Sequence, residues 1–417
     1  MNERKGELTL LTTKTDIKKN TNGTIVTPAG FKAAGMHSGV KRKRKDLGIV
    51  FCESPANAAA VYTLNVIQAA PLKVTKESLA KEGKIQAVVV NSGNANACTG
   101  KQGEQDAYTM RKVTAQKFSI PEHYVAVAST GIIGLEMPMD KIISGIEQLE
   151  PEAKAETAKQ FNEAILTTDV VTKSTCYETT INGKKVTMAG AAKGSGMIEP
   201  NMGTMLAFIT TDAVIESNML QVALKEVIDK TFNCITVDGD TSTNDMVLVM
   251  ASERANHDSL TPSHPEWATF VELLQKTCED LAKMIAKDGE GATKLIEVEV
   301  NGAKSDAEAV KVAKSIVGSS LVKTAVYGSD ANWGRIIAAI GYSGATVHPD
   351  KIDVSIGPIQ LLKNSQPLQY SEDEATDYLR NEFVKIVVDL QIDQGFGKAW
   401  GCDLTYDYVR INASYRS

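Results

Sequence analysis

Short runs of β-branched and small apolar residues, broken by turn residues, dominate the first half of the chain. Residues 24–26, 48–52, 87–90 and 125–128 read as strands, the last followed closely by Thr130-Gly131. Apolar positions at helical spacing predict a helix over 138–149, and a segment rich in Ala and Glu predicts another over 153–167. Residues 179–181 and 185–189 flank Asn182-Gly183, a pair that tolerates the positive φ angles of a tight turn, so they predict a β-hairpin.

In the second half, 205–210 reads as a strand and 220–230 as a helix. Residues 233–237 and 245–251 read as strands joined by the Asp238-Gly-Asp-Thr-Ser-Thr-Asn-Asp245 turn. The clearest helix spans 267–287: Trp267, Phe270, Val271, Leu274, Cys278, Leu281 and Ile285 share one face, Ser263 and Glu266 predict a capping box, and Asp288-Gly289 ends it. Residues 294–300 and 322–326 read as strands, 307–315 and 333–340 as helices, and strand-like residues run through 401–411. Strand clusters interleaved with helices in both halves predict an α/β (α+β) fold of sheets covered by helices. No internal repeat or low-complexity segment interrupts it.

The chain has 417 residues, enough for two sizeable cores or one large double-layered one. Hydrophobic content of 43% and charged content of 23% are those of a globular protein in water. A net charge of −6 provides no field for nucleic acid, and Lys41-Arg-Lys-Arg-Lys45 reads as a solvated basic loop. The six cysteines form no CxxC pair, which indicates neither zinc nor a disulfide framework, and they read mostly as small core residues. Glu3, Glu7 and Asp16 interrupt the first thirty residues, and no apolar run approaches membrane-spanning length. A cytoplasmic protein with no membrane partner is the expectation.

Several familiar constellations fail. Asp238, Asp240 and Asp245 suggest a metal loop, but their spacing does not fit an EF-hand and Val249 stands where a ligating acid would be needed. They read as turn residues or as acids behind a site. The five histidines are isolated, His37 and His123 among them, so no metal or serine–histidine motif forms. Gly194-Ser-Gly196 lacks the continuation of a dinucleotide-binding loop.

The most informative stretch is Lys193-Gly-Ser-Gly-Met-Ile-Glu-Pro-Asn-Met-Gly203-Thr204-Met-Leu. A threonine hydroxyl becomes a useful nucleophile when a base sits beside it, and the nearest base is its own α-amine. That amine is locked in the Gly203–Thr204 peptide bond. Cleavage there would free an amine with a pKa of roughly 7.7–8.0, suited to proton transfer near neutrality. By itself a Gly-Thr pair before a strand is also an ordinary turn. Lys193 and Glu290 are equally compatible with solvated surface charges, and Asn412 and Ser417 with a frayed end.

Together with this stretch stand Thr27-Pro-Ala-Gly-Phe-Lys-Ala-Ala-Gly35, Asn65-Val-Ile-Gln-Ala-Ala-Pro71, Asn91-Ser-Gly-Asn-Ala-Asn96 and Ser129-Thr-Gly-Ile-Ile-Gly134. Asp238 to Asp245, Asp288-Gly-Glu-Gly-Ala-Thr-Lys294, Gly328-Ser-Asp-Ala-Asn-Trp-Gly-Arg335 and Tyr408-Val-Arg-Ile-Asn412 complete the order. In this order, and over essentially the whole chain, they resemble the ornithine acetyltransferase family, the glutamate N-acetyltransferases of arginine biosynthesis. That family usually has Ala before the processing threonine; here Gly203 leaves the scissile carbonyl at least as open.

The resemblance implies a layered α/β fold of stacked sheets, reminiscent of N-terminal-nucleophile hydrolases but differently connected. It implies self-cleavage between Gly203 and Thr204 into an alpha chain, 1–203, and a beta chain, 204–417, that stay associated, two of each. It implies Thr204 as nucleophile, Thr130 and Gly131 as oxyanion hole, and Thr167, Lys193, Thr204, Glu290, Asn412 and Ser417 as substrate contacts; some relatives carry Thr in place of Ser417. The implied reaction moves acetyl from N-acetylornithine to glutamate by ping-pong chemistry, with no metal or bound cofactor. Acetyl-CoA as a second donor stays open. So do a related self-processing amidohydrolase or aminopeptidase, and a non-catalytic small-molecule binding protein in which Thr204 is structural.

Overall fold

The apolar runs of the sequence settle into two sheets in the computed structural model, which describes residues 16–199 and 205–414. The chain begins with β1 (Lys18–Lys19), β2 (Phe31–Met36), β3 (Leu47–Tyr62), α1 (Ala70–Glu82), β4 (Lys84–Asn94), α2 (Gly100–Phe118) and β5 (Val125–Ile132). It continues through α3 (Met139–Gln148), α4 (Ala155–Ala164), β6 (Lys173–Ile181), β7 (Lys184–Lys193), β8 (Leu206–Thr211), α5 (Ser217–Ile228), β9 (Ile235–Thr236), β10 (Met246–Ala251) and α6 (Trp267–Lys287). The remainder supplies β11 (Leu295–Ala303), α7 (Asp306–Gly318), α8 (Ser320–Tyr327), α9 (Trp333–Gly341), β12 (Asp353–Ile356), β13 (Ile359–Lys363) and β14 (Gln366–Pro367). Last come α10 (Glu372–Leu379), β15 (Phe383–Asp389), β16 (Gly395–Cys402) and α11 (Tyr406–Ala413).

The first sheet has nine strands in the order β1-β6-β7-β8-β10-β3-β4-β5, with β2 also paired to β3. β8 with β10 and β4 with β5 run parallel; the other neighbours are antiparallel. Along one edge β3 pairs first with β2 and then with β10, the change falling at Ser54-Pro55. Proline has no N–H for the ladder, the register shifts between Phe51 and Ala56, and the strand passes from β2 onto β10. β4 is buried on both faces. Val88 and Val90 join Phe161 of α4 in one cluster, while Ala87 and Val89 join Met110 of α2 and Ile142 of α3 in another. A continuous apolar run is what such a two-sided burial requires.

The second sheet has seven strands, β14-β13-β12-β15-β11-β16-β9. One face packs through Val298 and Ile386 on α7 and α9, at Ile316 and Ile340. Helix α6 lies between the two sheets, its Leu281 and Ile285 sharing a core with Met188 and Ile209 of the first and Leu295 and Trp400 of the second. The layered α/β fold of stacked sheets is therefore as expected. Contact on both sides also explains why Leu273 and Thr277 are buried in addition to the single face expected from the pattern. Among the described residues no helix is long and apolar enough to cross a membrane. All six cysteines are free, and only Cys98 is exposed.

The Asn182-Gly183 hairpin forms with φ of 48° and 70°, the geometry of a type I′ turn. Other expectations need correction. Residues 24–26 form a turn with Ile25 buried, and the nearby strand is β2 instead. Residues 322–326, β-branched though they are, belong to α8; Ser319 caps it by accepting from the Val322 amide, and tertiary packing overrides propensity. The Ser263/Glu266 capping box does not form: Ser263 pairs with the Thr261 hydroxyl, and the Glu266 carboxylate accepts from the Asn182 amide. The strand-like tail ends at Cys402, and residues 406–413 are helical. Within 233–237 only residues 235–236 pair as a strand, and helix α4 covers only the middle of 153–167. Leu281 is fully buried between the sheets, so Leu281→Ala is expected to cost about 2–5 kcal/mol, read as a lower denaturant midpoint at unchanged slope.

Candidate active site

Strand ends build the site. Thr130 and Gly131, expected just after a strand, are within the last turn-out of β5, where the register against β4 shifts at Gly93 and Asn94. Gly131 has φ of +136°, and a Cβ there would lie 2.3 Å from the Gly93 carbonyl carbon and 2.5 Å from the Asn94 nitrogen, so only glycine fits. Asn244, just before β10, holds this edge from beneath: its side-chain amide donates to Ala95 O at 2.5 Å and Ser129 O at 2.8 Å.

Lys193 ends β7 in a buried position, and its ammonium donates to Thr130 Oγ1 at 3.3 Å. Burial pushes its pKa below the ordinary lysine value, against the opposing pull of Asp169. Asp169 is the hub behind it. Its Oδ1 accepts from Lys173 Nζ and from the Gly194 amide, both at 2.7 Å, and its Oδ2 accepts from the Thr167 amide at 2.9 Å. Burial alone would raise this carboxyl, but Lys193 and Lys173 hold it below the usual carboxylate range. Lys173 reaches a second carboxylate, Asp288, at 2.6 Å, and the Asp288 carbonyl accepts from Ser195 Oγ at 2.7 Å.

Glu290 follows α6. Its carboxylate accepts from Asn412 Nδ2 of α11 at 2.7 Å, and its amide donates to Ser195 O at 2.9 Å. Gly196 passes so close that a Cβ would stand 2.4 Å from the Glu290 carboxyl carbon, which makes glycine a requirement of this approach. A cleft of about 270 Å³ joins these parts: Thr130, Gly131, Thr167, Lys193, Glu290 and Asn412 all line it, with Met205, Asn244 and Asp245. The Asp245 carboxyl is raised well above its ordinary value by burial. Of the residues singled out from the sequence, Gly203, Thr204 and Ser417 lie outside the described residues; Met205, next in the chain after Thr204, is a wall of the cleft.

Sequence reasoning passed over Asp169 and Lys173, whose only trace is an acid followed four positions later by a lysine entering a strand. It also treated 41–45 as a solvated loop, which is corrected in part. Lys41 Nζ donates to Lys45 O at 2.8 Å and Leu166 O at 2.6 Å, and Arg44 donates to Thr167 O at 3.3 Å, so the loop braces the cleft wall. Burial lowers Lys41 to about 8, opposed by Asp46. Of the acids in the supposed metal loop, Asp238 accepts from the Met197 and Ile198 amides and serves as a turn residue, while Asp245 faces the cleft.

The ArgJ family profile matches residues 32–417 of this chain. The arginine biosynthesis bifunctional protein ArgJ of Halalkalibacterium halodurans is 66% identical over 403 residues, covering 96% of this chain and 98% of that protein. Its namesake from Geobacillus kaustophilus is 65% identical over 396 residues, covering 95% and 97%. A crystal structure of ornithine acetyltransferase complexed with ornithine from Mycobacterium tuberculosis is 35% identical, covers 45% of this chain and 99% of that chain, and superposes with a TM-score of 0.42. Sequence similarity over nearly the whole chain defines an acetyltransferase of amino-acid biosynthesis. The chain belongs to the ArgJ family, and its pathway is that of arginine.

Removing the Asp169 charge leaves Lys173 and Lys193 undercompensated in a buried site. Asp169→Asn is expected to destabilise by about 3 kcal/mol or more at pH 7. Because the folded pKa is depressed, the stabilisation is present above the unfolded value of about 3.9 and is lost as pH falls through the folded value. The gap in unfolding free energy between wild type and variant should therefore be constant from neutrality to about pH 5 and narrow in stronger acid.

Proposed function

We propose that this enzyme cuts itself between Gly203 and Thr204 and then transfers acetyl from N-acetylornithine to glutamate through Thr204. The observation that carries this reading is the cleft. Thr130, Gly131, Thr167 and Lys193 reach it from before residue 204, and Met205, Glu290 and Asn412 from after it. An acyl transfer needs a nucleophile, a base and donors for an oxyanion, and the family resemblance assigns them to Thr204, its freed amine, and Thr130 with Gly131.

In processing, Thr204 Oγ attacks the Gly203 carbonyl carbon, the bond to the Thr204 nitrogen breaks, and the resulting ester is opened by water. In turnover the freed amine takes the Oγ proton as Oγ attacks the acetyl carbonyl of N-acetylornithine. Thr130 and Gly131 steady the tetrahedral oxyanion, a contribution of roughly 10²–10³ in rate per donor. The intermediate collapses, the ammonium protonates the departing nitrogen, and ornithine leaves an acetyl ester on Thr204. The α-amine of glutamate then collects the acetyl group, so the kinetics are ping-pong. Lys193 meets a substrate carboxylate. Glu290, held by Asn412, meets the ornithine ammonium. Thr167 and Ser417 complete the substrate contacts.

No bound cofactor or metal enters these steps. Acetyl-CoA serves as a second acetyl donor, a reading supported by the word bifunctional in the names of the relatives. The products 1–203 and 204–417 remain one body, two of each, in the cytoplasm. The sheet supports their association, since β8 and β10 lie between β7 and β3.

On a denaturing gel the wild type should give two bands of similar size and Thr204→Ala one; an unbroken wild-type chain with full activity would contradict the proposal. Assay of acetyl transfer to glutamate against release of acetate separates transfer from the amidohydrolase alternative. Glu290→Gln is expected to raise KM for N-acetylornithine, and a rise confined to glutamate would reverse the assignment of the two charges.

A further inference from the structure

Asn244 is buried and its side chain is fully engaged. The amide donates one hydrogen to Ala95 O at 2.5 Å and the other to Ser129 O at 2.8 Å. Its Oδ1 accepts from Thr243 Oγ1 at 2.6 Å, which fixes the rotation of the amide, and its backbone N–H donates to Ser242 Oγ at 3.1 Å. The turn that carries it is anchored in its own right. Thr243 O accepts from the Ala69 amide at 2.9 Å, Ser242 O from Thr63 Oγ1 at 2.8 Å, and Asp245 O from the Thr63 amide at 3.1 Å. The two carbonyls that Asn244 holds lie around Thr130 and Gly131. Ser129 O belongs to the same planar peptide as the Thr130 N–H, so fixing one fixes the other. Ala95 follows the end of β4, and its amide donates to Ile132 O, one residue beyond Gly131, at 3.0 Å. Ala95 and Ser129 precede position 204 in the chain, and Asn244 follows it.

We infer that Asn244 is the positioning residue of the oxyanion hole: by holding the Ser129 and Ala95 carbonyls it aims the donors at Thr130 and Gly131. This rests on the reading of those two residues as oxyanion donors given above. Asn244 does not itself donate to substrate, because both of its amide hydrogens are committed; it acts through the peptide planes it holds. An oxyanion hole stabilises charge that develops in the transition state, so its donors must stand in place before the acyl carbonyl becomes tetrahedral. The end of β5 does not secure this by sheet pairing alone. The ladder between β4 and β5 is irregular at Gly93 and Asn94, and a glycine at position 131 leaves the backbone there its widest conformational freedom. Asn244 supplies the missing constraint from the second half of the chain. Loss of its grip displaces donors that matter in the transition state and removes no contact to the bound substrate.

The test compares ornithine release from N-acetylornithine with release from its thioacetyl analogue, in which sulfur, a weak hydrogen-bond acceptor, replaces the carbonyl oxygen. The wild type should prefer oxygen by on the order of a hundredfold in kcat/KM; a wild type without that preference refutes the oxyanion reading of Thr130 and Gly131 itself, apart from anything Asn244 does. With the preference established, Asn244→Ala should lower kcat for N-acetylornithine by about tenfold to a hundredfold at nearly unchanged KM. Its preference for oxygen should fall to about tenfold or less. A general loosening of the fold slows both substrates alike and leaves the preference intact, so a variant that keeps the wild-type preference overturns the proposal, whatever its rate. Should Asn244→Ala remain uncut or fail to fold, Thr243→Val is read in its place. It keeps the amide donors but frees their rotation, so the preference should again fall, and an unchanged preference overturns the assignment.

Discussion

Asp169 accepts at once from the Lys173 ammonium, the Gly194 amide and the Thr167 amide, out of reach of solvent, and Thr167 and Lys193, the neighbour of Gly194, line the cleft. Two carboxylates sharing a buried lysine are costly to desolvate, and such a group persists when every lone pair and proton finds a partner. Here they do. Lys173 bridges Asp169 to Asp288, and Asp288 in turn accepts from the Val170 amide and, through its carbonyl, from Ser195. The end of β7, the start of β6, the loop after α4 and the end of α6 are thereby held in one arrangement. Lys193 and Glu290 inherit their positions from it.

The same network crosses position 204, with Asp169, Lys173 and Ser195 before it and Asp288 after. The first sheet crosses it as well. β8 pairs with β7 from Leu206 to Thr211, and β10 pairs with β3 from Met246 to Ala251. A division of the chain at 203 therefore yields two segments with a common core rather than two domains, and neither could bury its own strands alone. A cleft that draws walls from both segments is a consequence of that interleaving.

The legible parts of the sequence were those that local chemistry decides. Asn182-Gly183 specified its turn because both residues accept positive φ, and the 267–287 helix announced itself by spacing alone. The candidate residues Thr130, Gly131, Thr167, Lys193, Glu290 and Asn412 converge on one cleft, although only a resemblance, not their spacing, could group positions so far apart in the chain. What escaped was set by tertiary contact. The run at 322–326 is helical because Ser319 caps it and Val322 and Val326 join the core beneath the second sheet. Asp169 looks like any acid near a Thr-Thr pair until Lys173, Gly194 and Asp288 close around it. Asp245 was legible as an acid in a turn, while its burial depends on β3 and β8 lying alongside β10.

The most direct test is the intact mass of the purified enzyme incubated with N-acetylornithine in the absence of glutamate. The account predicts two chains, the second beginning at Thr204 and heavier by one acetyl group, which disappears when glutamate is added. A single chain, or acetyl transfer that proceeds with no acetylated form of the chain beginning at Thr204, would contradict it.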